Sequence, residues 1–245
     1  MLFEPTLEKM LAMKLNGMAE ALEEQRRSLN AGTLSFEERL GFLVERQWLW
    51  KQNRALATRL KYARLRQSAV IEDVNYRHPR GLSRGVMEQL SGSDWLNHAQ
   101  NCIITGPTGV GKTYLACALA QNACRSGYRT LYFYAPKLFR ELAACQADGS
   151  LPAFLKKLAR ARLLVVDDWG LEKASPVQYR DFLEVLDDRI GYASTLITSQ
   201  FPTDRWHELI GDATVADAIL DRLVHSAHRI NLDGKSMRDP KGRTA

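Results

Sequence analysis

The chain has 245 residues, 45% of them hydrophobic, and carries 34 lysines and arginines against 28 acidic residues for a net charge of +6. That composition fills a globular core and excludes a fibrous or disordered chain, and the length suits one large domain with a smaller appendage. No apolar run approaches the roughly 18 residues of a membrane span, and Glu4, Glu8 and Lys9 stand where a signal peptide would be cationic and then apolar; a cytoplasmic protein with no membrane partner is expected.

Residues 1–68 read as an α-helical domain, without strand-like alternation. A first amphipathic helix starts near Thr6 and continues to about Leu29, with a break at Asn30–Thr33. Ser35 followed by Glu38 is a capping box for a second helix, which reads as running to about Arg66. Leu49, Leu56, Leu60 and Ala63 project as one stripe, and Arg46, Lys51, Arg54, Arg59, Lys61, Arg64 and Arg66 fan across the rest with no acid among them. Unpaired like charges at helical spacing repel, and an anionic partner relieves that repulsion. The seven are therefore candidate DNA contacts, with helix–helix assembly as the competing use.

Residues 69–82 read as a linker, and 83–245 as a second domain that opens on a short helix, Ser83 to Leu90. From Asn101 onward, strand-like runs alternate with helical stretches: 102–105, 130–135, 163–167, 195–199 and a shorter run near 228–232. The clearest helix runs from Ser175 to Ile190, with Ser175 as N-cap and Pro176 at its first position. This alternation predicts an α/β fold with a parallel sheet covered on both faces. Cys102, Cys117, Cys124 and Cys145 show no C-x-x-C spacing and read as reduced, mostly buried thiols.

Gly106-Pro107-Thr108-Gly109-Val110-Gly111-Lys112-Thr113 matches G-x-x-x-x-G-K-[ST], and it stands between an apolar run and a helix-forming stretch, the context that motif requires. Backbone N–H groups at a helix N-terminus wrap a triphosphate, and the helix dipole favours its charge. Lys112 reaches the β- and γ-phosphates and Thr113 ligates Mg²⁺, so a nucleoside triphosphate and Mg²⁺ are the expected ligands.

Leu163–Val166 is followed by Asp167 and Asp168, two acids at the end of a buried run. Asp167 is placed to hold Mg²⁺ and Asp168 to orient and deprotonate the attacking water; the plainer alternative is a strand end turning into solvent. Thr198, Ser199 and Gln200 end another strand, where one of them meets the γ-phosphate or the lytic water, or all simply cap a polar strand end. Arg222 lies on a helix beyond it and either completes a neighbour's site in trans or pairs with Asp217 or Asp221.

The phosphate loop, Val165–Gly170, Leu196–Gln200, Leu220–His225 and Gly234–Arg238, with Leu15–Met18 near the start, together resemble the IstB family, the AAA+ helper ATPases of bacterial insertion sequences, related to the DnaC/DnaI helicase loaders. The resemblance implies an AAA+ αβα sheet after a small helical domain, ATP-dependent and largely sequence-tolerant binding of double-stranded DNA, homo-oligomers with active sites at subunit interfaces, and an IstA-type transposase as partner. By motif, it makes Lys112 and Thr113 the Walker A pair, Asp167 and Asp168 the Walker B pair, Gln200 the first sensor and Arg222 the arginine finger. The alternative is a DnaC-like loader of a replicative helicase. Asp168 stands where many AAA+ proteins carry glutamate, which predicts slow hydrolysis, and Gln200 replaces the commoner asparagine. Only 23 residues follow Arg222, too few for a helical lid, with Arg238 a substitute for a lid arginine.

Overall fold

The computed structural model describes residues 3–28 and 33–237. Arg238 and most of the expected break at 30–33 therefore lie outside the described residues, as does Leu29. The chain divides into two compact units, 1–58 and 59–245.

In the first unit, α1 (Phe3–Ala12) and α2 (Asn16–Arg27) replace the single first helix expected from the sequence. The break falls at Lys14, whose φ is +60°. It delivers Gly17 against α3 (Phe36–Ala63), where a Cβ would collide with Arg46, Gln47 and Trp50. Met18 N–H then donates to Gln47 Oε1 at 3.1 Å, so the bend exists to bring a small residue and a free amide onto the next helix. The Ser35–Glu38 capping box forms as expected, with both reciprocal bonds present.

α3 ends at Ala63, three residues before the expected Arg66, because Arg64 adopts φ +53° and the ladder stops. Of the expected stripe, Ala63 is buried and Leu56 and Leu60 are half-buried, but Leu49 is 42% exposed, while Leu43 and Gln47 are buried.

The second unit carries a short 3-10 turn (Ile71–Asp73), α4 (Arg84–Ser91), α5 (Asp94–Asn97), β1 (Asn101–Thr105), α6 (Lys112–Arg125), β2 (Thr130–Tyr134), α7 (Ala135–Asp148), α8 (Leu151–Ala159), β3 (Leu163–Trp169), α9 (Pro176–Asp187), β4 (Ser194–Ser199), α10 (Trp206–Ile210), α11 (Ala213–Val224) and β5 (Ala227–Asn231). The five strands form one parallel sheet in the order β2-β3-β4-β1-β5. All five strand-like runs of the sequence are in it. Ser175 caps α9 and closes a capping box with Gln178.

Alternate strand residues feed opposite faces, which makes three layers. Ile103, Leu164, Val166 and Ile197 pack under α7, α9 and α11 with Phe139, Phe182 and Trp206. Cys102, Ile104, Val165 and Leu196 pack under α4 and α6 with Met87, Leu115 and Leu119. Cys102, Cys117 and Cys124 are buried and Cys145 is half-buried. Among the described residues no helix follows β5. No described helix is long and apolar enough to cross a membrane.

Candidate functional site

β1 is an inner strand of the sheet, between β4 and β5, and the loop after it opens into α6, whose first residue is Lys112. Ligands of such sheets bind beyond the carboxyl ends of the strands. A cleft of about 530 Å³ lies there, lined by Lys112, Thr113, Asp168, Gln200 and the loop glycines on one side, and by Arg66, Asn75, Arg80 and Met237 on the other. Its volume falls within the range of small-molecule sites.

The phosphate loop is shaped from behind by residues far away in sequence. Arg80, 2% exposed, donates through Nη1 to Val110 O at 2.7 Å and through Nη2 to Asn75 O at 3.1 Å, and Nη1 lies 3.2 Å from Met237 Sδ. Met237 N–H donates to Gly109 O at 2.9 Å. A Cβ at Gly109 (φ +87°) would strike the Ser236 side chain, and one at Gly111 (φ +94°) would strike the Arg80 guanidinium. These two glycines thus answer to the protein's own packing. Lys112 Nζ rests on Gly106 O and Pro107 O at 2.8 and 2.9 Å, in position to exchange carbonyls for phosphate oxygens.

Asp167 is fully buried at the end of β3 and is held from four sides. Thr113 Oγ1 donates to its two oxygens at 3.1 and 3.0 Å, Thr198 Oγ1 to Oδ1 at 2.6 Å and Tyr132 OH to Oδ2 at 2.5 Å. The fourth partner is Arg66, 3.4 Å from Oδ2. Burial and the adjacent Asp167 carboxylate push the Tyr132 phenol far up, so it remains a donor at any ordinary pH.

Asp168 sits on a β-bulge between Val166 and Trp169, with φ +60°. Its N–H donates to Thr198 Oγ1 at 2.9 Å, and its carboxylate pairs with Arg66 at 3.2 Å. Trp169 pins the far side of the bulge. It is 1% exposed and its ring centroid lies 4.9 Å from that of Phe182 and 5.7 Å from that of Trp206. The bulge turns the second acid into the cleft while the first stays against Thr113.

The sequence-derived site residues divide into two groups. Lys112, Thr113, Asp167, Asp168 and Gln200 meet at the cleft; of the strand-end trio, Thr198 is the one bonded to Asp167, while Gln200 lies just past β4 and lines the cleft. Arg222 is elsewhere. Its carbonyl accepts from Asn101 Nδ2 at 2.8 Å, which puts it beside the amino end of β1, about 13 Å along the strand from the phosphate-loop end. Its Nε pairs with Asp187 of α9, not with Asp217 or Asp221, and Nη1 donates to Ala218 O at 2.9 Å.

The seven basic candidates are also unequal. Arg46 pairs with Glu24 at 2.8 Å, Arg59 donates to Cys124 O at 2.7 Å and Arg66 turns to the carboxylates. Arg54 lies over the Trp50 ring at 5.0 Å, and Lys51, Lys61 and Arg64 are exposed.

Sequence reasoning missed Arg66, Arg80, Tyr132 and Met237 as parts of this site; Thr198 it named as one of three polar residues at a strand end. The others reach the cleft through tertiary packing that no local pattern records.

A family model for the IstB-like ATP binding protein matches residues 8–245. The chain is 50% identical over 238 residues, 97% of each chain, to a Sinorhizobium fredii protein described as an insertion sequence ATP-binding protein. It is 42% identical to the insertion sequence IS1162 ATP-binding protein of Pseudomonas fluorescens, over 83% of this chain and 88% of that one. Among solved structures, the crystal structure of DnaI covers 69% of this chain and 92% of its own at TM-score 0.56 and 25% identity. The DnaC helicase loader covers 67% and 96% at TM-score 0.54 and 21% identity, a likeness of fold.

Proposed function

The chain belongs to the family of IstB-like ATP-binding proteins, and we propose that it is a Mg²⁺-dependent ATPase that assembles on double-stranded DNA and helps an IstA-type transposase select its target. The observation that carries the reading is Asp167. A fully buried carboxylate is kept here with Thr113, Thr198, Tyr132 and the Arg66 guanidinium around it, and its place against Thr113 beside the phosphate-loop lysine suits a divalent cation. Thr113 and Asp167 fit such a cation, the hydroxyl and carboxylate being hard oxygen donors 3.0 Å apart. Bound there, Mg²⁺ would neutralise charge on the β- and γ-phosphates.

The chain's own residues do the rest. Lys112 leaves the loop carbonyls for the phosphates, the amides of the first turn of α6 bind the phosphate oxygens, and the bulge aims Asp168 at the attacking water. Gln200, on the same wall, orients that water or the terminal phosphate. Arg222 lies away from its own cleft, the placement a trans-acting arginine requires; in an oligomer it would exchange Asp187 for a neighbour's phosphate. Residues 1–68 would serve assembly and DNA contact, and 83–245 would carry the ATPase. The curated relatives at 42% and 50% identity, both described as insertion sequence proteins, favour this over a helicase loader, for which the support is a likeness of fold.

Sedimentation and electron microscopy of the protein with duplex DNA, with and without a non-hydrolysable ATP analogue, test the reading. Nucleotide-dependent oligomers on DNA are expected. A monomer under every condition, or equal DNA binding by wild type and Lys112→Ala, refutes it. Capture of a transposase rather than a hexameric helicase separates the two partners.

A further inference from the structure

Arg66 was counted among the DNA contacts, yet its head group is turned inward. It follows α3 by three residues, after the left-handed Arg64 has reversed the chain. Nη1 bridges Asp168 Oδ2 at 3.2 Å and Asp167 Oδ2 at 3.4 Å, and the guanidinium lies over the Tyr134 ring at 5.4 Å. The side chain lines the same cleft as Lys112 and Thr113 and is half exposed, whereas Ala63 and Ala69 on either side are buried. A fixed backbone therefore carries a side chain with room to pivot.

We propose that Arg66 is the residue by which the cleft reads the terminal phosphate of its nucleotide. This rests on the reading of the cleft as a site for Mg²⁺ and ATP. The guanidinium balances two neighbouring carboxylates that would otherwise repel each other. A divalent cation held by Thr113 and Asp167 would neutralise the same carboxylates, leaving the guanidinium, tethered at the mouth of the cleft, available to another anion. A planar guanidinium binds phosphate oxygens in pairs, and the phosphate furthest from the loop is the anion within its sweep. Lys112 serves the same phosphates from the loop side. A diphosphate offers Arg66 nothing, so the exchange distinguishes ATP from ADP. Loss of the carboxylate pair weakens or strengthens both nucleotides alike, and the ratio of their affinities isolates the phosphate contact.

Calorimetric titration of the full chain with ADP and with a non-hydrolysable ATP analogue, each with Mg²⁺, tests this. Arg66→Ala should lower affinity for the ATP analogue about tenfold relative to ADP, and Arg66→Lys, which keeps the charge but loses the fork, should recover part of that ratio. A ratio unchanged from wild type overturns the proposal, whatever happens to the two affinities separately. Thermal melts check that each variant is folded; Arg66→Gln, which keeps length and loses charge, replaces Ala if the latter is not. Wild-type protein that binds neither nucleotide refutes the reading of the cleft itself, and the proposal with it.

Discussion

Replacing Thr198 by valine removes two hydrogen bonds and almost no volume. Oγ1 donates to Asp167 Oδ1 at 2.6 Å and accepts from Asp168 N–H at 2.9 Å, and the residue is fully buried. A hydrogen bond to a charged group contributes about 1.5–3 kcal/mol, and a buried N–H left without an acceptor costs about 1–3 kcal/mol. Asp167 keeps Thr113 and Tyr132, which confines the loss to the lower part of the summed range, about 3 kcal/mol. The Asp168 amide has no comparable substitute. The bulge that holds Asp168 at φ +60° then loosens, while the walls of the cleft, to which Thr198 does not belong, are unchanged. Urea unfolding of Thr198→Val should therefore show the full loss, and Thr198→Ser less than about 1 kcal/mol. ATP turnover should fall by more than about tenfold in the valine variant, with nucleotide affinity within about threefold of wild type. A valine variant as stable and as active as the parent would show that Thr198 merely fills space, and that the bulge is held by Trp169 alone.

Three further outcomes follow from other parts of the molecule. Gly109→Ala puts a methyl into the Ser236 side chain at a φ of +87°, so nucleotide titration should show a loss of more than about tenfold, together with a lower melting temperature as the 232–237 segment is pushed off the loop. Asp181 of α9 is buried with Oδ2 lacking a hydrogen-bond partner, and burial raises its carboxyl pKa. The folded state therefore favours the protonated acid, and stability from this group is present below its unfolded pKa and lost as pH rises through the folded one; Asp181→Asn should raise the melting temperature at pH 7, and the gain should vanish below about pH 4. For DNA, all seven basic residues of 46–66 on phosphate would give a log–log salt slope of about −6, whereas the four not engaged with an acid or a backbone carbonyl, Lys51, Arg54, Lys61 and Arg64, give about −3.6; filter binding across a salt series distinguishes the two, and a slope near zero removes DNA as a partner.

The sheet was legible because a parallel strand buried on both faces must be largely apolar, and the first four runs are short, mostly apolar and followed by turn residues or a helix start; the fifth, with His228, Arg229 and Asn231, is an edge strand and carried the weakest signal. The phosphate loop was legible because only glycine meets its backbone requirement. The kink at Lys14 was not, since its cause is a helix that arrives more than twenty residues later: Gly17 has to sit where Arg46, Gln47 and Trp50 leave no space for a Cβ. Periodicity sees the amphipathic face on either side of such a bend and runs straight through it.

The same limit explains the charges. Arg46, Arg59 and Arg66 share a composition and a spacing with Lys51, Lys61 and Arg64, and nothing local separates them. Their partners, Glu24, the Cys124 carbonyl and the Asp167–Asp168 pair, do. Arg59 and Arg66 both lie in the second unit and bond within it, one to α6 and one to the acids at the end of β3. A basic segment that reads as a binding surface from the sequence lines the cleft just past the end of its helix. If the 46–66 segment also meets DNA, the exposed cations next to Arg66 give the two ligands a shared length of chain, and a change at the carboxylates need travel no further than the three residues from Arg66 back to Ala63.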